Sequence, residues 1–262
     1  MRCGTAQLAG GGILLDSKQV FLGESVRETV DGVSRDTALA DPGSASPTHT
    51  SPFGRWAGFA VTSMALLMSS IDSTSVATAL SAIQADLGTS LVWAAWTITI
   101  YSVGLILASP VAARIAERFG ARRVFLVAVA VFTVSSLLCA LCRSIEPLIA
   151  LRLGQGLAGG LLIPTATGIV SHQFGRDRDR AIALFTSIFP IGAIVGPLIG
   201  GTILSVWSWQ GIFLVNLPVG LVLVAAGALV IEEVPRSAGS RLDLRGTLLV
   251  TGLLIAGMVA IG

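Results

Sequence analysis

The chain has 262 residues, of which 53% are hydrophobic and only 12% are charged, and its mean hydropathy is +0.82. Water-soluble domains carry about 25% charged residues, so a single core in water cannot absorb this much apolar surface. Lipid is therefore the predicted solvent for most of the chain. The net charge is +2, and the basic residues lie between apolar stretches as topology signals rather than as a nucleic-acid patch, so no nucleic-acid partner is expected.

Residues 1–55 differ in composition from the rest of the chain. They are polar, carry mixed charge and end in a run rich in Pro, Ser, Thr and Gly between Asp41 and Pro52. Such a composition cannot bury enough apolar surface to order itself. The sequence predicts a disordered cytoplasmic tail here, with a cleaved signal peptide or a start codon placed too far upstream as alternatives.

Six apolar segments follow, each near the length of about 20 residues that crosses a hydrocarbon core of about 30 Å. They are predicted at residues 56–80, 91–113, 124–142, 145–170, 181–204 and 212–230, and a seventh apolar stretch opens near Gly246. Residues 56–235 are thus predicted to form an all-α membrane bundle of six helices, arranged as two sets of three. Residues 236–262 are predicted to be a cytoplasmic linker and the start of a seventh helix.

The arginines predict how the spans are oriented. The segments after spans two, four and six carry clusters of arginine, whereas the opposite loops carry only Arg143. Cytoplasmic loops hold the excess of Lys and Arg, so the N-terminus is predicted to be cytoplasmic in a multi-pass protein of the cell membrane. Tryptophans near the outer ends of their spans are predicted to form an aromatic belt: Trp93, Trp96, Trp207 and Trp209.

Span one contains an acidic motif, Ile71-Asp-Ser-Thr-Ser-Val-Ala-Thr-Ala-Leu80. Asp72 is the one carboxylate clearly inside the first six spans, and an intramembrane ionisable residue is a functional-site hypothesis by default. Burial disfavours the charged form of a carboxylate and a nearby arginine favours it, and together they can poise the group for proton exchange. The alternative is an acid close enough to the outer surface to be solvated.

The loop between spans two and three predicts a latch between helices. Its sequence is Ala113-Arg-Ile-Ala-Glu-Arg-Phe-Gly-Ala-Arg-Arg123. The glycine permits a tight turn, and the glutamate is expected to meet a helix N-terminus or an arginine. The alternative is a plain cytoplasmic loop. The residues of the predicted latch are Glu117, Arg118, Gly120, Arg122 and Arg123.

Span four contains an arginine in Leu151-Arg-Leu-Gly-Gln-Gly-Leu-Ala-Gly-Gly160. An arginine inside a span is costly and normally faces a cavity where it finds a partner. Arg152 is therefore predicted to pair with Asp72, and snorkelling to the membrane surface is the alternative. Tyr101 of span two and Gln155 are candidate substrate contacts.

Span five contains a cluster of glycines around a proline, Gly192-Ala-Ile-Val-Gly-Pro-Leu-Ile-Gly-Gly201. In lipid, small residues let helices approach closely, and proline bends a helix whose freed polar groups neighbours can satisfy. We predict a bent, closely packed helix whose glycine face has no partner within the chain. The motif residues are Gly192, Gly196, Pro197, Gly200 and Gly201.

Taken together, these segments resemble the signature motifs of the major facilitator superfamily, specifically its drug:proton antiporter branch with fourteen helices. The resemblance covers residues 56–262, which would be the N-terminal half of such a protein. The span-five segment matches the family pattern G-x-x-x-G-P-x-x-G-G in full. The loop segment is similar to G-x-L-A-D-R-x-G-R-R/K but has Ala113 for glycine and Glu117 for aspartate. A D-x-x-G segment at Asp243 resembles the start of the extra helix pair in fourteen-helix members.

The resemblance implies a proton-coupled exporter of small hydrophobic or cationic compounds, with Asp72 as proton carrier and Arg152 as its partner. Transporters of this kind rock two halves about a central site. The expected partners are therefore the lipid bilayer, a small-molecule substrate, protons, and either a missing C-terminal half or a second copy of the chain.

Two other interpretations of the sequence stay open. If it is not an exporter, the chain is either a truncated, inactive fragment or a non-transporting assembly or sensor protein. A third idea, a metabolite importer of the same superfamily, explains the span-five motif poorly. The sequence contains no recognisable enzyme constellation, and both histidines lie in polar segments without ligand partners. No phosphate-binding loop is found either, so neither catalysis, a cofactor nor a metal ion is expected.

Overall fold

The computed structural model describes residues 52–233, and within this range the chain is helical apart from short connections. Its elements are α1 (Pro52–Thr78), α2 (Leu80–Asp86), α3 (Leu91–Phe119), α4 (Ala121–Ala140), α5 (Ile145–Phe174), one turn of 3₁₀ helix (Gly175–Asp177), α6 (Arg178–Thr186), α7 (Ile188–Val206), α8 (Gln210–Leu214) and α9 (Asn216–Val230). The first helix begins at Pro52, where proline suits a first helical turn, and so includes the last four residues assigned to the tail. The rest of the tail and the predicted linker and seventh helix lie outside the described residues.

Six membrane spans account for these helices, because spans one, five and six are each built from two of them: α1 with α2, α6 with α7, and α8 with α9. Length and composition alone distinguish five helical runs in the described residues, one of which covers Ile145–Val206. A straight helix of 62 residues would be about 93 Å long, three times the hydrocarbon thickness. This run is broken at Gly175, whose φ is +47°, and therefore contains two spans.

The chain reverses direction at that break. Span four runs antiparallel to α1, because Asp72 meets Arg152 while Gly58, near the start of α1, lies against Gln173 near the end of α5. The helix α7 instead runs parallel to α1: Ser70 donates to the carbonyl of Phe189 at 2.6 Å, and Ser75 donates to that of Gly196 at 2.8 Å. Spans four and five are therefore neighbours in sequence that cross the bundle in opposite directions.

The helix contacts have the symmetry of two three-helix repeats. Span one packs along span five, span two along span four, and span three along span six; span three also packs along span four, and span one along span six. If spans one, two and three are exchanged with spans four, five and six, the pair of spans one and five becomes the pair of spans four and two. The pair of spans three and six is unchanged. This pattern is the one that repeats of a transporter half predict, and it confirms the predicted six-helix bundle.

The interface between α1 and α7 corrects one prediction, since the glycine face of span five has a partner inside the chain. Gly192, Gly196 and Gly200 are buried against α1. An added Cβ at Gly192 would lie 2.6 Å from the Cβ of Ser70, and one at Gly196 would collide with the Thr74 hydroxyl. The serines and threonines of α1 are thus the residues that the glycines accommodate. Pro197 and Gly201, by contrast, face away from α1 and are exposed.

The start of span six corrects another prediction. Trp93, Trp96 and Trp207 are exposed, as a membrane-surface belt requires, but Trp209 is only 2% exposed. Its indole Nε1 donates to Oδ2 of Asp86 at 2.7 Å. A buried indole N–H usually finds an acceptor, and here the acceptor is the carboxylate at the end of α2. This contact joins the end of span one to the start of span six.

Most serine and threonine side chains inside the spans are satisfied within their own helix. Most serine and threonine hydroxyls donate to a carbonyl three or four residues earlier in the same helix, as Thr133 does to Val129 at 2.7 Å. Such bonds let a hydroxyl sit in lipid without an unpaired donor. Beyond Arg123, the exposed side chains of α4 are apolar and recur at helical spacing, at Val127, Val131, Val134 and Leu138. That face is suited to contact acyl chains.

Candidate functional site

Asp72 and Arg152 form a salt bridge in the middle of the bundle. Nη1 of Arg152 donates to Oδ2 of Asp72 at 2.6 Å, and both side chains are 0% exposed. The partners come from α1 and α5, which are 80 residues apart in sequence. A solvated Asp72 and a snorkelling Arg152, the two alternatives that the sequence left open, are both inconsistent with this burial.

Two amides complete the environment of the Asp72 carboxylate. Asn216 Nδ2 donates to Oδ1 at 2.7 Å and Gln155 Nε2 donates to the same oxygen at 3.2 Å. Every one of these contacts is donated to Asp72, which is the arrangement of an ionised carboxylate that only accepts. Asn216 is the first residue of α9, directly after the break at Val215, so the broken helix of span six brings its side chain to the site.

Ser136 of span three joins the same network. Its hydroxyl accepts from Asn216 at 3.0 Å and from Gln155 at 3.3 Å, and it donates to the carbonyl of Phe213 at 3.0 Å. Four spans therefore contribute side chains to this network: one, three, four and six. We call Asp72, Arg152, Gln155, Asn216 and Ser136 the ion-pair network.

Arg152 has neutral neighbours in addition to Asp72. Its Nη1 also donates to Oε1 of Gln155 at 2.8 Å, and its Nε donates to the carbonyl of Thr97 at 3.3 Å. The guanidinium carbon lies 4.2 Å from the ring centroid of Tyr101, a cation–π contact. Nη2 is buried and has no hydrogen-bond partner among the described residues. One face of the arginine is thus held by groups that do not depend on the charge of Asp72.

Span two also contributes Tyr101, whose hydroxyl lies 3.0 Å from that of Ser69. Close helix approach makes this position possible, because a Cβ added at Gly156 of span four would collide with the backbone of Tyr101. Tyr101 and Gln155 are 2% and 0% exposed. The structure places both against the ion pair itself, and their role as substrate contacts stays a prediction.

Sequence reasoning missed Asn216 and Ser136 as site residues. Asn216 stands in a segment before span six that contains a tryptophan pair, an asparagine and a proline, and a buried asparagine inside an apolar span is a signal that could have been used. Ser136 offers no such signal, because serines recur throughout these spans.

The loop between spans two and three connects helices through its arginines. Gly120 has φ of +93°, which ends α3 and starts α4 in a tight turn. Arg122 donates to the carbonyl of Ala228 in the last turn of α9, where the helix dipole favours a cation, and Arg123 lies 3.3 Å from Glu233. Glu117 is exposed and forms neither an ion pair nor a side-chain hydrogen bond with the residues that the structure describes. The contact between helices is therefore made by arginines rather than by the glutamate, and Arg118 lies over the ring of Phe119.

Comparison with protein families decides the identity of the fold. The family model of the Major Facilitator Superfamily matches residues 62–261. The chain belongs to this superfamily. The network described above therefore lies in the six-helix bundle of a major facilitator, a multi-pass membrane protein, as the sequence motifs predicted.

Curated relatives of this major facilitator include several named for drug resistance. It is 37% identical over 198 residues to a Multidrug resistance protein B homolog of Mycobacterium tuberculosis, covering 75% of this chain and 36% of the relative. It is 34% identical over 201 residues to the Probable multidrug resistance protein EmrY of Escherichia coli, with coverage of 76% and 39%. For the Tetracenomycin C resistance and export protein of Streptomyces glaucescens the identity is 32% over 201 residues, with coverage of 76% and 37%. The chain thus spans less than two fifths of the length of these relatives.

Proposed function

We propose that this bundle is half of a proton-coupled exporter, and that Asp72 exchanges a proton for a small hydrophobic or cationic compound. The single observation that carries the proposal is the buried salt bridge between Asp72 and Arg152, to which spans four and six add the amide donors Gln155 and Asn216. The similarity to proteins named for multidrug resistance and for tetracenomycin C export supports the direction of transport and the class of compound.

The charges of the network suggest how proton and substrate compete. The ion pair is neutral as a whole, so it can reside in a low-dielectric interior. Adding a proton to Asp72 leaves Arg152 as an unpaired buried cation, which is costly. The protonated form is therefore favoured only in a state that hydrates or rearranges the arginine.

A cationic compound would act on the same carboxylate. The single negative charge of Asp72 can be neutralised either by the proton or by the cationic compound. Binding of one therefore disfavours binding of the other. Such mutual exclusion, combined with different proton affinities of the inward-facing and outward-facing states, is what exchange requires. Gln155, Thr97 and the Tyr101 ring would hold Arg152 while its charge partner is neutral.

We further propose that a second set of helices completes the transporter and that the arginine-rich end of the bundle faces the cytoplasm. In this superfamily the substrate site lies between two halves that rock against each other. The second half belongs either to the same protein or to a second copy. The arginines of the loops after spans two and four lie at the end of the bundle where α1 begins, which supports this orientation.

The decisive experiment uses the Asp72→Asn variant of the full-length protein in vesicles with an imposed pH gradient. We expect uptake of a cationic dye driven by the gradient to fall to the level of protein-free vesicles, because an amide cannot carry the proton. Asp179→Asn, which neutralises a carboxylate that is 91% exposed, is the matched control and should transport normally.

Proton release provides a second readout. Adding the dye to detergent-solubilised protein, at a pH low enough to protonate Asp72, should release protons from the unchanged protein and none from Asp72→Asn. Full gradient-driven transport by Asp72→Asn would remove this residue from the mechanism.

A further inference from the structure

A cavity of about 380 Å³ lies away from the ion-pair network, at the end of the bundle where α1 begins and α5 is followed by α6. Its walls come from the first turns of α1, the end of α5 and the first turns of α6. Neither the proposed proton exchange nor any of the sequence motifs uses it. The charged segment Arg176–Arg180 follows an apolar span directly, so the cavity lies at the surface of the membrane.

One side of the cavity is aromatic and apolar. Trp56 and Phe59 both meet Phe174 edge-on, with ring centroids 5.3 and 5.7 Å apart, and Leu184 of α6 lies opposite. Trp56 is still 56% exposed. A tryptophan at the membrane surface with an accessible apolar face is suited to contact a lipid chain.

The rim of the cavity is positively charged. The guanidinium carbon of Arg55 lies 4.9 Å from the centroid of Phe174, which holds the cation over the opening. Arg180 also lines the cavity and forms no ion pair with another described residue. The carboxylate of the rim belongs to Asp177, which is 74% exposed and 3.8 Å from Arg55. An exposed ion pair of this length contributes little, so the rim has a net charge of +1 with a weakly held arginine.

The start of α6 adds to the positive potential. This helix has nine residues, and Asp177 at its N-cap position forms no capping hydrogen bond with its side chain. The N–H of Arg178 bonds to the carbonyl of Gly175, and the positive end of the helix dipole lies at the rim. Arginines, helix terminus and apolar wall are thus arranged around one opening.

We propose that this cavity binds the head group of an anionic phospholipid. The phosphate contacts Arg55 and Arg180, and an acyl chain lies along Trp56 and Leu184. Basic pockets between spans commonly bind anionic head groups, and here the net charge of the rim favours an anionic lipid over a zwitterionic one. A free phosphate ion would leave the apolar wall without a partner, which is why we assign the site to a lipid.

The test measures fluorescence quenching by brominated phospholipids in the full-length protein. Replacing Trp93, Trp96 and Trp207 with Phe leaves Trp56 as the exposed reporter within the described residues, because Trp209 is buried. We expect brominated phosphatidylglycerol to quench Trp56 at a lower mole fraction than brominated phosphatidylcholine or phosphatidylethanolamine. Arg180→Gln should weaken the preference for phosphatidylglycerol about fivefold, the contribution of one basic residue near an anionic surface.

Matched variants isolate the cavity from general surface charge. Arg178→Gln removes the same charge from an exposed residue of the same helix that does not line the cavity, and should leave the preference unchanged. Asp177→Asn removes the negative group of the rim and should strengthen quenching by phosphatidylglycerol, whereas Asp179→Asn should not. Arg55→Gln provides a second loss-of-charge variant.

Three results would overturn the proposal. One is equal quenching of the unchanged protein by phosphatidylglycerol and phosphatidylcholine. Another is an equal effect of Arg178→Gln and Arg180→Gln, since only the second lines the cavity. The third is displacement of brominated phosphatidylglycerol by millimolar inorganic phosphate, which would assign the site to a soluble anion. None of these measurements depends on transport, so their failure is distinguishable from failure of the proposed proton exchange.

Discussion

Arg152 is the residue on which the polar interior of the bundle depends most. Its contacts reach Asp72 in span one, Gln155 in its own helix and the backbone and ring of span two. A buried ion pair gives little net stability compared with a well-packed apolar pair, but removing one partner leaves an uncompensated charge. The stability of the protein should therefore respond very differently to single and double neutralisation.

We expect Arg152→Gln to lower the free energy of unfolding by about 3–5 kcal/mol, because it leaves the Asp72 carboxylate buried without its cation. Combining it with Asp72→Asn should restore part of this loss. Thermal unfolding of the full-length protein in detergent measures both effects. Arg143→Gln replaces an exposed arginine between spans three and four; it is the control and should stay within about 0.5 kcal/mol of the unchanged protein. A double variant whose loss equals the sum of the single losses would contradict the charge argument.

At the scale of elements, the pairing of α1 with α7 depends on matched small residues. Glycines at four-residue spacing on α7 face serines and threonines at the same spacing on α1. The hydroxyls of α1 also bond to carbonyls across the interface, including Ser75 to Gly196. In lipid, where there is no hydrophobic drive between helices, close packing and such bonds hold the two helices together.

Two glycines of one motif allow a matched comparison. Gly196→Ala should destabilise the protein by about 1–3 kcal/mol, because the added methyl group meets the Thr74 hydroxyl and the carbonyl of Ile71. Gly201→Ala has open space around the new methyl group, and alanine is the better helix former by about 1 kcal/mol, so stability should stay unchanged or rise.

Unfolding in detergent measures this difference, and Thr74→Ala should partly rescue Gly196→Ala. Equal effects of the two glycine substitutions would mean that the interface between α1 and α7 is not formed as described.

At the scale of the whole molecule, the described part of the bundle has one arginine-rich end and one end nearly free of arginine. The two ends of α5 illustrate this difference, since Ser144 precedes the helix beside a single arginine and Asp179 follows it within the segment Arg176–Arg180. The 30 residues of α5 are about 45 Å long, which is sufficient to place these two residues on opposite sides of a membrane.

Cysteine labelling in intact cells tests the orientation that we propose. In a protein whose own cysteines have been replaced by alanine, Ser144→Cys should react with a membrane-impermeant maleimide from outside. Asp179→Cys should react only after the cells are permeabilised, because the arginine-rich end is expected in the cytoplasm. Both positions are exposed, so accessibility within the protein does not explain a difference. The reverse pattern would invert the topology.

Local chemistry was sufficient to predict the spans, their number and the two buried charges. A run of apolar residues identifies a span wherever it packs, and a carboxylate or a guanidinium inside such a run is anomalous regardless of its neighbours. For this reason Asp72, Arg152 and the glycine motif of span five could be identified from the residues alone.

Only the tertiary structure decided which groups meet these residues. Asn216 is 144 residues from Asp72, and the bond between them requires both the break before α9 and the rotation of span six about its axis. The burial of Trp209, the partner of the glycine face and the use of arginines in the loop between spans two and three likewise depend on how distant helices are rotated and offset. These relations are properties of packed pairs, and composition within one span does not specify them.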